Sequence, residues 1–330
     1  MKKALFALFG IVAAAAMLAW IAVGFFMPRQ RPPLDLDVEI TPELVARGTY
    51  LVEHVLLCND CHSERDWSIY GGPPMAPLGA GRECMTRRTE TIGVRVSEGQ
   101  GNFPGVLCIR NITPDPESGI GRWTDGELVR AMREGIDHRG NGLFPIMPYF
   151  IYRSISDRDA AAVVAYMRNL APVRAERPER DIDFPMSLLI EWFPEPLDGP
   201  VPHPDESDRV AYGEYLATIT RCGFCHTPRR RQGKEGIPGR EFAGGVPFVL
   251  GARETPSRNL TPHATGIGPW TEDAFIARFR QFGDRRPVAS LEENTLMNWS
   301  AYAGMTDADL GAIYAFLHSL PPRASDAVTP

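Results

Sequence analysis

Cysteine is scarce in this chain, and none of it stands alone. Six cysteines in 330 residues fall into three pairs, Cys58 with Cys61, Cys84 with Cys108, and Cys222 with Cys225. So few in so long a chain exclude a small scaffold held together mainly by disulfides. Excess positive charge is missing too: the net charge is -6, and nucleic acid needs a concentrated basic face, so nucleic acid is excluded as a partner. Long stretches without proline or glycine are rare after the N-terminus. Thirty prolines and 31 glycines exclude long coiled coils and a large continuous sheet, and favour short, loop-linked elements. What is present is ordinary globular material, 44% hydrophobic and 23% charged, enough for two domains of about 100–150 residues.

Charge is also absent from Ala4 to Met27. A helix rising about 1.5 Å per residue would carry this run across the ~30 Å hydrocarbon core, so a single N-terminal span is expected. A cleaved signal peptide is the competing reading, because Lys2 and Lys3 precede the run and Ala13 to Ala16 offers small residues. The run continues through Trp20, Ile21, Phe25 and Phe26, past the ~7–15 residues of a signal core, which favours a retained anchor. Arg29 and Arg31 beyond the run offset Lys2 and Lys3, so flanking charge sets no orientation.

Two cysteine pairs continue into histidine: Cys58-Asn59-Asp60-Cys61-His62 and Cys222-Gly223-Phe224-Cys225-His226. In this spacing two thiols bond to the vinyl groups of haem, and the adjacent imidazole reaches the iron from one face. A structural zinc site would need a further Cys or His pair for each metal, and a thioredoxin-like pair would sit in a βαβ pattern; the sequence offers neither. Two covalently bound haem c groups are therefore expected, with His62 and His226 as iron ligands. Haem c is attached outside the cytoplasmic membrane, so the body after Met27 is expected on the periplasmic side. Cys84 and Cys108 then lie in a compartment where spare thiols pair, and a disulfide is expected. Two buried thiols, or one cysteine as an iron ligand, are the alternatives.

The second axial ligand emerges when the chain is compared with itself. Arg47-Gly48-Thr49-Tyr50-Leu51 recurs as Tyr212-Gly213-Glu214-Tyr215-Leu216, Asn111-Ile112-Thr113-Pro114 as Asn259-Leu260-Thr261-Pro262, and Gly119 to Thr124 as Gly266 to Thr271. The chain is a tandem duplication. In the last ungapped block Met147-Pro148-Tyr149 lies over Met297-Asn298-Trp299, and Asp159 over Asp309. Met147 and Met297 are thus the expected axial methionines, while Met305 falls over Ile155 and reads as packing. His138, in the loop leading to Met147, is the rival ligand. His54, His203, His263 and His318 have no counterpart in the other half and read as bystanders.

Each repeat reads as a short helix into the attachment motif, a loop-rich middle, a helix, a methionine loop and a closing helix. Thr124 with Glu127 forms a capping box, with Trp123 placed to pack on Leu128, and Trp270 with Phe275 repeats that arrangement. Ser156 and Thr306 open the closing helices. The expected fold is mainly α, tandem class I-like cytochrome c domains after a single N-terminal transmembrane helix. Its expected boundaries are anchor and neck at 1–33, first domain at 34–172, Pro-rich linker at 173–206, second domain at 207–324 and tail at 325–330. The apolar stretch Phe184 to Phe193 within the linker either packs between domains or faces a partner. Arg229, Arg230, Arg231, Lys234 and Arg240 form a basic cluster that either meets haem propionates or an acidic surface, or is solvated.

In these residues the chain resembles the cytochrome c subunits of membrane-bound bacterial dehydrogenases for alcohols, gluconate and aldehydes. The resemblance rests on Gly-x-Tyr-Leu before each motif, Cys-His-Thr-Pro-Arg at Cys225 to Arg229, and the run Asn111 to Asp125. It departs from the three haems common in that family, since two motifs are present. It implies a periplasmic or membrane-bound dehydrogenase as electron donor, and quinone, an oxidase or a soluble cytochrome as acceptor. The expected function is single-electron transfer at the periplasmic face of a bacterial cytoplasmic membrane, with no catalytic residue. A dihaem peroxidase-like enzyme and a fixed subunit of a respiratory oxidase are the alternatives.

Overall fold

Frequent prolines and glycines break the chain into short helices. The computed structural model describes residues 2–26, 29–86, 103–229 and 236–325, with the backbone alone at 4 and 22–26; Arg230, Arg231 and Lys234 of the basic cluster lie outside the described residues. In chain order the elements are α1 (Lys2–Phe26), α2 (Pro42–Tyr50), a π-helical turn (Leu51–Val55), α3 (Cys58–His62), β1 (Arg82–Thr86), β2 (Gly105–Ile109), α4 (Asp125–Glu134), α5 (Tyr149–Tyr152), α6 (Asp157–Asn169), β3 (Asp181–Ile182) and α7 (Met186–Leu189). The second half follows with α8 (Arg209–Ile219), α9 (Cys222–His226), β4 (Pro247–Leu250), β5 (Arg253–Pro256), α10 (Glu272–Arg280), α11 (Trp299–Tyr302) and α12 (Asp307–Ser319). Among the described residues the fold is mainly helical, with sheets β1-β2-β3 and β4-β5.

The helix starts follow local chemistry. Thr41, Ser156, Asp208, Thr271 and Thr306 each cap a helix by accepting an N–H from its first turn. Thr124 and Glu127 complete a reciprocal capping box on α4. Such oxygens satisfy donors that the first helical turn otherwise leaves open.

Contacts divide the chain into two units. The smaller comprises Met1–Asp37, Trp123–Arg153 and Asp183–Gly199. Within it, Arg31 grips the buried carboxylate of Glu134 through Nε at 2.9 Å and Nη2 at 2.7 Å. Gly126 passes so close to Leu34 that a Cβ there would overlap its carbonyl oxygen. The linker packs here through buried Ile190 and through Glu191, which accepts the Gly142 N–H at 2.7 Å. Phe184, Leu189 and Trp192 remain exposed. On α1 the described side chains are exposed all round the helix, from Leu5 at 72% and Phe6 at 76% to Trp20 at 70%. Among the described residues no helix is long and apolar enough to cross a membrane, so the expected span is not shown there.

The larger unit comprises Val38–Arg122, Ser154–Ile182 and Pro200–Pro330. Two helix crossings organise it, α2 on α6 and α8 on α12. A Cβ at Gly48 would sit on the Ala162 carbonyl, and one at Gly213 on the Ala312 carbonyl, so the repeated glycine permits both close approaches. The crossings are tied together reciprocally. Tyr50 Oη donates to Asp309 on α12 and accepts the Thr306 N–H at 3.1 Å. Tyr215 Oη donates to Asp159 on α6 at 2.7 Å and accepts the Ser156 N–H at 3.2 Å. Cys84 and Cys108, paired across β1 and β2, are joined by a disulfide.

Candidate functional site

Each attachment pentapeptide folds as one short helix, α3 or α9, and each is preceded by a left-handed residue. Leu57 has φ 60° and Arg221 has φ 64°. Left-handed backbone is costly for residues bearing a Cβ, so the same strain ahead of both helices marks a turn whose shape matters. The approaches differ in length: Cys58 lies eight residues after Tyr50, Cys222 seven after Tyr215. The extra residue is taken up by the π-helical turn Leu51–Val55, where α8 stays α-helical. A π turn accommodates one residue without breaking the helix, and such turns recur at functional sites.

The histidines are oriented identically. His62 Nδ1 is 2.8 Å from the Arg110 carbonyl oxygen, and His226 Nδ1 is 2.7 Å from that of Arg258. A carbonyl can only accept, so Nδ1 carries the proton and Nε2 offers its lone pair, the arrangement by which a second-sphere bond aims an imidazole at a metal. Burial holds both imidazoles below their ordinary pKa, against the opposing carbonyl bonds, which keeps them neutral and able to ligate. The supporting loops match as well. Asn111 Oδ1 accepts from Thr113 while its Nδ2 donates to the Val173 carbonyl, and Asn259 does the same with Thr261 and Arg323.

The four motif cysteines form no disulfide. Burial pushes the Cys58 thiol up to about 12 and Cys222 up to about 11. Neither leading thiol is therefore the acidic thiolate that a redox-active pair presents.

The methionine loops share a backbone. Met147 and Met297 each direct a carbonyl to the N–H two residues on, at 2.9 and 2.8 Å, and the residues between are alike: Pro148 at φ -82°, ψ 47° and Asn298 at φ -78°, ψ 56°. Asparagine thus replaces proline without changing the turn, and its Oδ1 accepts from Arg65 at 3.1 Å. Met305 is buried at the start of α12. The remaining histidines are engaged elsewhere: His138 on the Trp123 ring at 4.4 Å, His54 at the Ala301 carbonyl, His203 at Ser156 and Glu206, His263 at Thr265 and His318 at the Ile267 carbonyl.

The donor set fits haem c: paired thiols three apart, an adjacent imidazole with a free Nε2, and this twice. A further sign is Trp67, whose Nε1 is buried with no hydrogen-bond partner among the described residues and is suited to a carboxylate such as a haem propionate. Sequence reasoning missed Trp67, since nothing in its spacing sets it apart. It also missed the Tyr50 and Tyr215 bonds, although both tyrosines and both aspartates recur in the repeat.

Such sites define a c-type cytochrome. No family model matches the chain. It is 30% identical over 230 residues to a diheme cytochrome c-type protein of Cereibacter sphaeroides, covering 66% of this chain and 72% of that one. It is 29% identical over 299 residues to the gluconate 2-dehydrogenase cytochrome c subunit of Pantoea cypripedii, 86% of this chain and 61% of the relative. It is 34% identical over 232 residues to the alcohol dehydrogenase (quinone) cytochrome c subunit of Gluconacetobacter polyoxogenes, 66% of this chain and 48% of the relative. The chain thus spans about half the length of that relative, and its match covers 18% of a nicotinate dehydrogenase polypeptide of Pseudomonas putida. The chain belongs to the family of dihaem c-type cytochromes and is similar to cytochrome c subunits of bacterial alcohol and gluconate dehydrogenases.

Proposed function

We propose that this protein is a membrane-anchored dihaem cytochrome that carries single electrons in the periplasm, from a dehydrogenase to quinone, an oxidase or a soluble cytochrome. The observation that carries the reading is the duplicated histidine geometry, His62 on Arg110 and His226 on Arg258. When bound, haem c supplies a one-electron ferric/ferrous couple. Cys58 and Cys61, and Cys222 and Cys225, would hold the two groups covalently, and His62 and His226 would offer Nε2 to the irons. Met147 and Met297 would be the methionine ligands, a reading that rests on the sequence repeat and the matched dihedrals after each methionine. A full set of protein ligands would let the protein exchange charge without binding substrate, the behaviour of a carrier rather than of a peroxidase.

The anchor is α1. This reading rests on the sequence, in which the uncharged run from Ala4 to Met27 is long enough, as a helix, for the ~30 Å hydrocarbon core. The haem-bearing body then faces the periplasm of a bacterium, where haem c is attached. The relatives named for gluconate and alcohol dehydrogenases support a dehydrogenase as donor.

The test is the absorption spectrum of the full-length protein expressed with haem-attachment machinery. Two haems per chain by pyridine haemochrome, low-spin spectra with a methionine-to-iron charge-transfer band, and indifference to carbon monoxide are expected. A high-spin haem that binds carbon monoxide would move the enzyme reading to the front. Resistance of the protein to alkaline extraction from membranes tests the anchor separately.

A further inference from the structure

The loop that carries Met297 is held by residues of the other repeat. Three residues after His62 the chain turns into a short hairpin, whose ends Arg65 and Pro74 pair as an antiparallel bridge. Within the larger unit this hairpin lies against the segment that leads to Met297. Tyr70 donates its N–H to the Arg286 carbonyl at 2.8 Å, and the Ser68 carbonyl accepts the Val288 N–H at 2.8 Å. Arg65 donates to Asn298, the residue after Met297, at 3.1 Å. A Cβ at Gly71 would come within 3.6 Å of the Met297 carbonyl oxygen.

Asn294 makes the closest tie. It is buried, and its carboxamide forms all four of the bonds open to it. Nδ2 donates to the Trp67 and Ile69 carbonyls at 2.9 and 3.1 Å, and Oδ1 accepts the Gly71 N–H at 2.7 Å and the Thr295 N–H at 2.8 Å. Three of these partners belong to the hairpin of the first repeat. Thr295 carries the restraint onward, its Oγ1 accepting the Met297 N–H at 3.2 Å. Such a network fixes a loop firmly, because breaking any member leaves a polar group unpaired away from water. The first repeat builds its loop differently: Phe144 and Pro145 stand three and two residues before Met147, and neither side chain can form a hydrogen bond.

We propose that Asn294 and Thr295 are positioning residues for the second haem site, which keep Met297 in place to ligate by fastening its loop to the hairpin of the first repeat. The proposal rests on the reading of Met297 as an iron ligand. Groups that hold a ligand without touching the metal typically change its affinity about 10–100-fold when removed. A methionine ligand raises the reduction potential of a c-type haem, so loosening the loop lowers the potential of the second site and leaves the first unmoved.

The test is a spectropotentiometric titration of the full-length holoprotein carrying Asn294→Leu, which is close in size and makes none of the four bonds, with the methionine-to-iron charge-transfer band read on the same samples. The Met147→His variant, expected to lower the first component alone, assigns the two components. With Asn294→Leu the band should fall to about half, one haem of two, and the ferrous protein should bind carbon monoxide at one haem per chain. The reduction equilibrium of the second component should fall about tenfold, equal to about 59 mV for a one-electron couple. Thr295→Val, which keeps the shape and removes only the hydroxyl, should move the second component in the same direction by a smaller factor. A full band and unmoved potentials in either variant overturn the proposal, as does an equal fall at both components, the mark of general loosening. If Asn294→Leu does not load with haem, Thr295→Val carries the measurement; failure of both to load would make the pair structural and also overturn it. Wild-type protein whose band corresponds to fewer than two methionine-ligated haems would instead defeat the underlying reading, and that control separates the two failures.

Discussion

The two repeats keep the same attachment geometry and reach it by different routes. The first arrives through a π-helical turn and Leu57, the second through an uninterrupted α-helix and Arg221. In both, Nδ1 of the histidine meets a backbone carbonyl from the Asn-x-Thr-Pro loop, and a glycine lets the incoming helix lie on the closing helix. The elements that aim the imidazole and the helix crossing are therefore the same in both copies, whereas length and charge just ahead of the attachment helix differ. What differs is polarity. Asp159 is fully buried and held by Arg47 at 3.0 Å through both oxygens, and also by Tyr215; at the place of Arg47 the second repeat has Tyr212. Asp309 is held by Tyr50.

Removing the charged member of the buried pair should break the comparison most severely. Arg47→Met leaves the Asp159 carboxylate buried without its guanidinium and should cost about 3–5 kcal/mol, read as loss of thermal stability by circular dichroism. Tyr212→Phe at the equivalent position removes one phenol and should cost about 1 kcal/mol. Equal losses would show that Asp159 and Asp309 sit in equivalent electrostatic settings.

A smaller effect sharpens the reciprocal tie. Tyr50→Phe and Tyr215→Phe each remove a hydrogen bond to a carboxylate, worth about 2 kcal/mol. The two bonds join the same pair of helix crossings from opposite sides, so the double variant should depart from additivity. Burial first, then the bonded carboxylate, raises both phenols above the ordinary value of 10. A raised folded pKa means that the folded state holds its proton after the unfolded chain has lost it. The stabilisation is complete below pH 10 and is lost as pH climbs beyond it. Alkaline unfolding should accordingly begin above pH 10, and each phenylalanine variant should flatten that dependence. An unaltered alkaline profile in the double variant would remove these tyrosines from the account.

The features legible in the sequence were those set by adjacent residues. The pentapeptides declare their chemistry by spacing, and the caps at Thr124, Ser156 and Thr306 are visible because a capping oxygen acts within three residues. The mainly helical fold followed from the same local signals. The π turn was not legible, because a one-residue difference between repeats looks like a gap and says nothing of how the helix absorbs it. Nor was the contact of the Trp123 and His138 rings, whose centroids lie 4.4 Å apart, because the whole of α4 separates the two in the chain. The Tyr50–Asp309 bond joins residues more than 250 positions apart. No periodicity reports such a bond, although the recurrence of both partners in both repeats was a usable signal.

The smallest expected effect tests whether that local legibility is quantitative. In α4 the cap is reciprocal: Thr124 Oγ1 accepts the Glu127 N–H at 3.2 Å, and Glu127 returns to the Thr124 N–H at 2.8 Å. In α10 Thr271 accepts the Ala274 N–H at 3.2 Å, and alanine has nothing to return. Thr124→Ala breaks both halves of a box and should cost about 1 kcal/mol, Thr271→Ala somewhat less. Ala274→Glu should supply the missing half and stabilise by about 0.5 kcal/mol, since it satisfies one further open donor and places a negative charge at a helix N-terminus. The measurement is a denaturant midpoint at constant slope. If Ala274→Glu fails to stabilise while Thr124→Ala destabilises, the returning carboxylate contributes little, and the first repeat's box owes its strength to threonine alone.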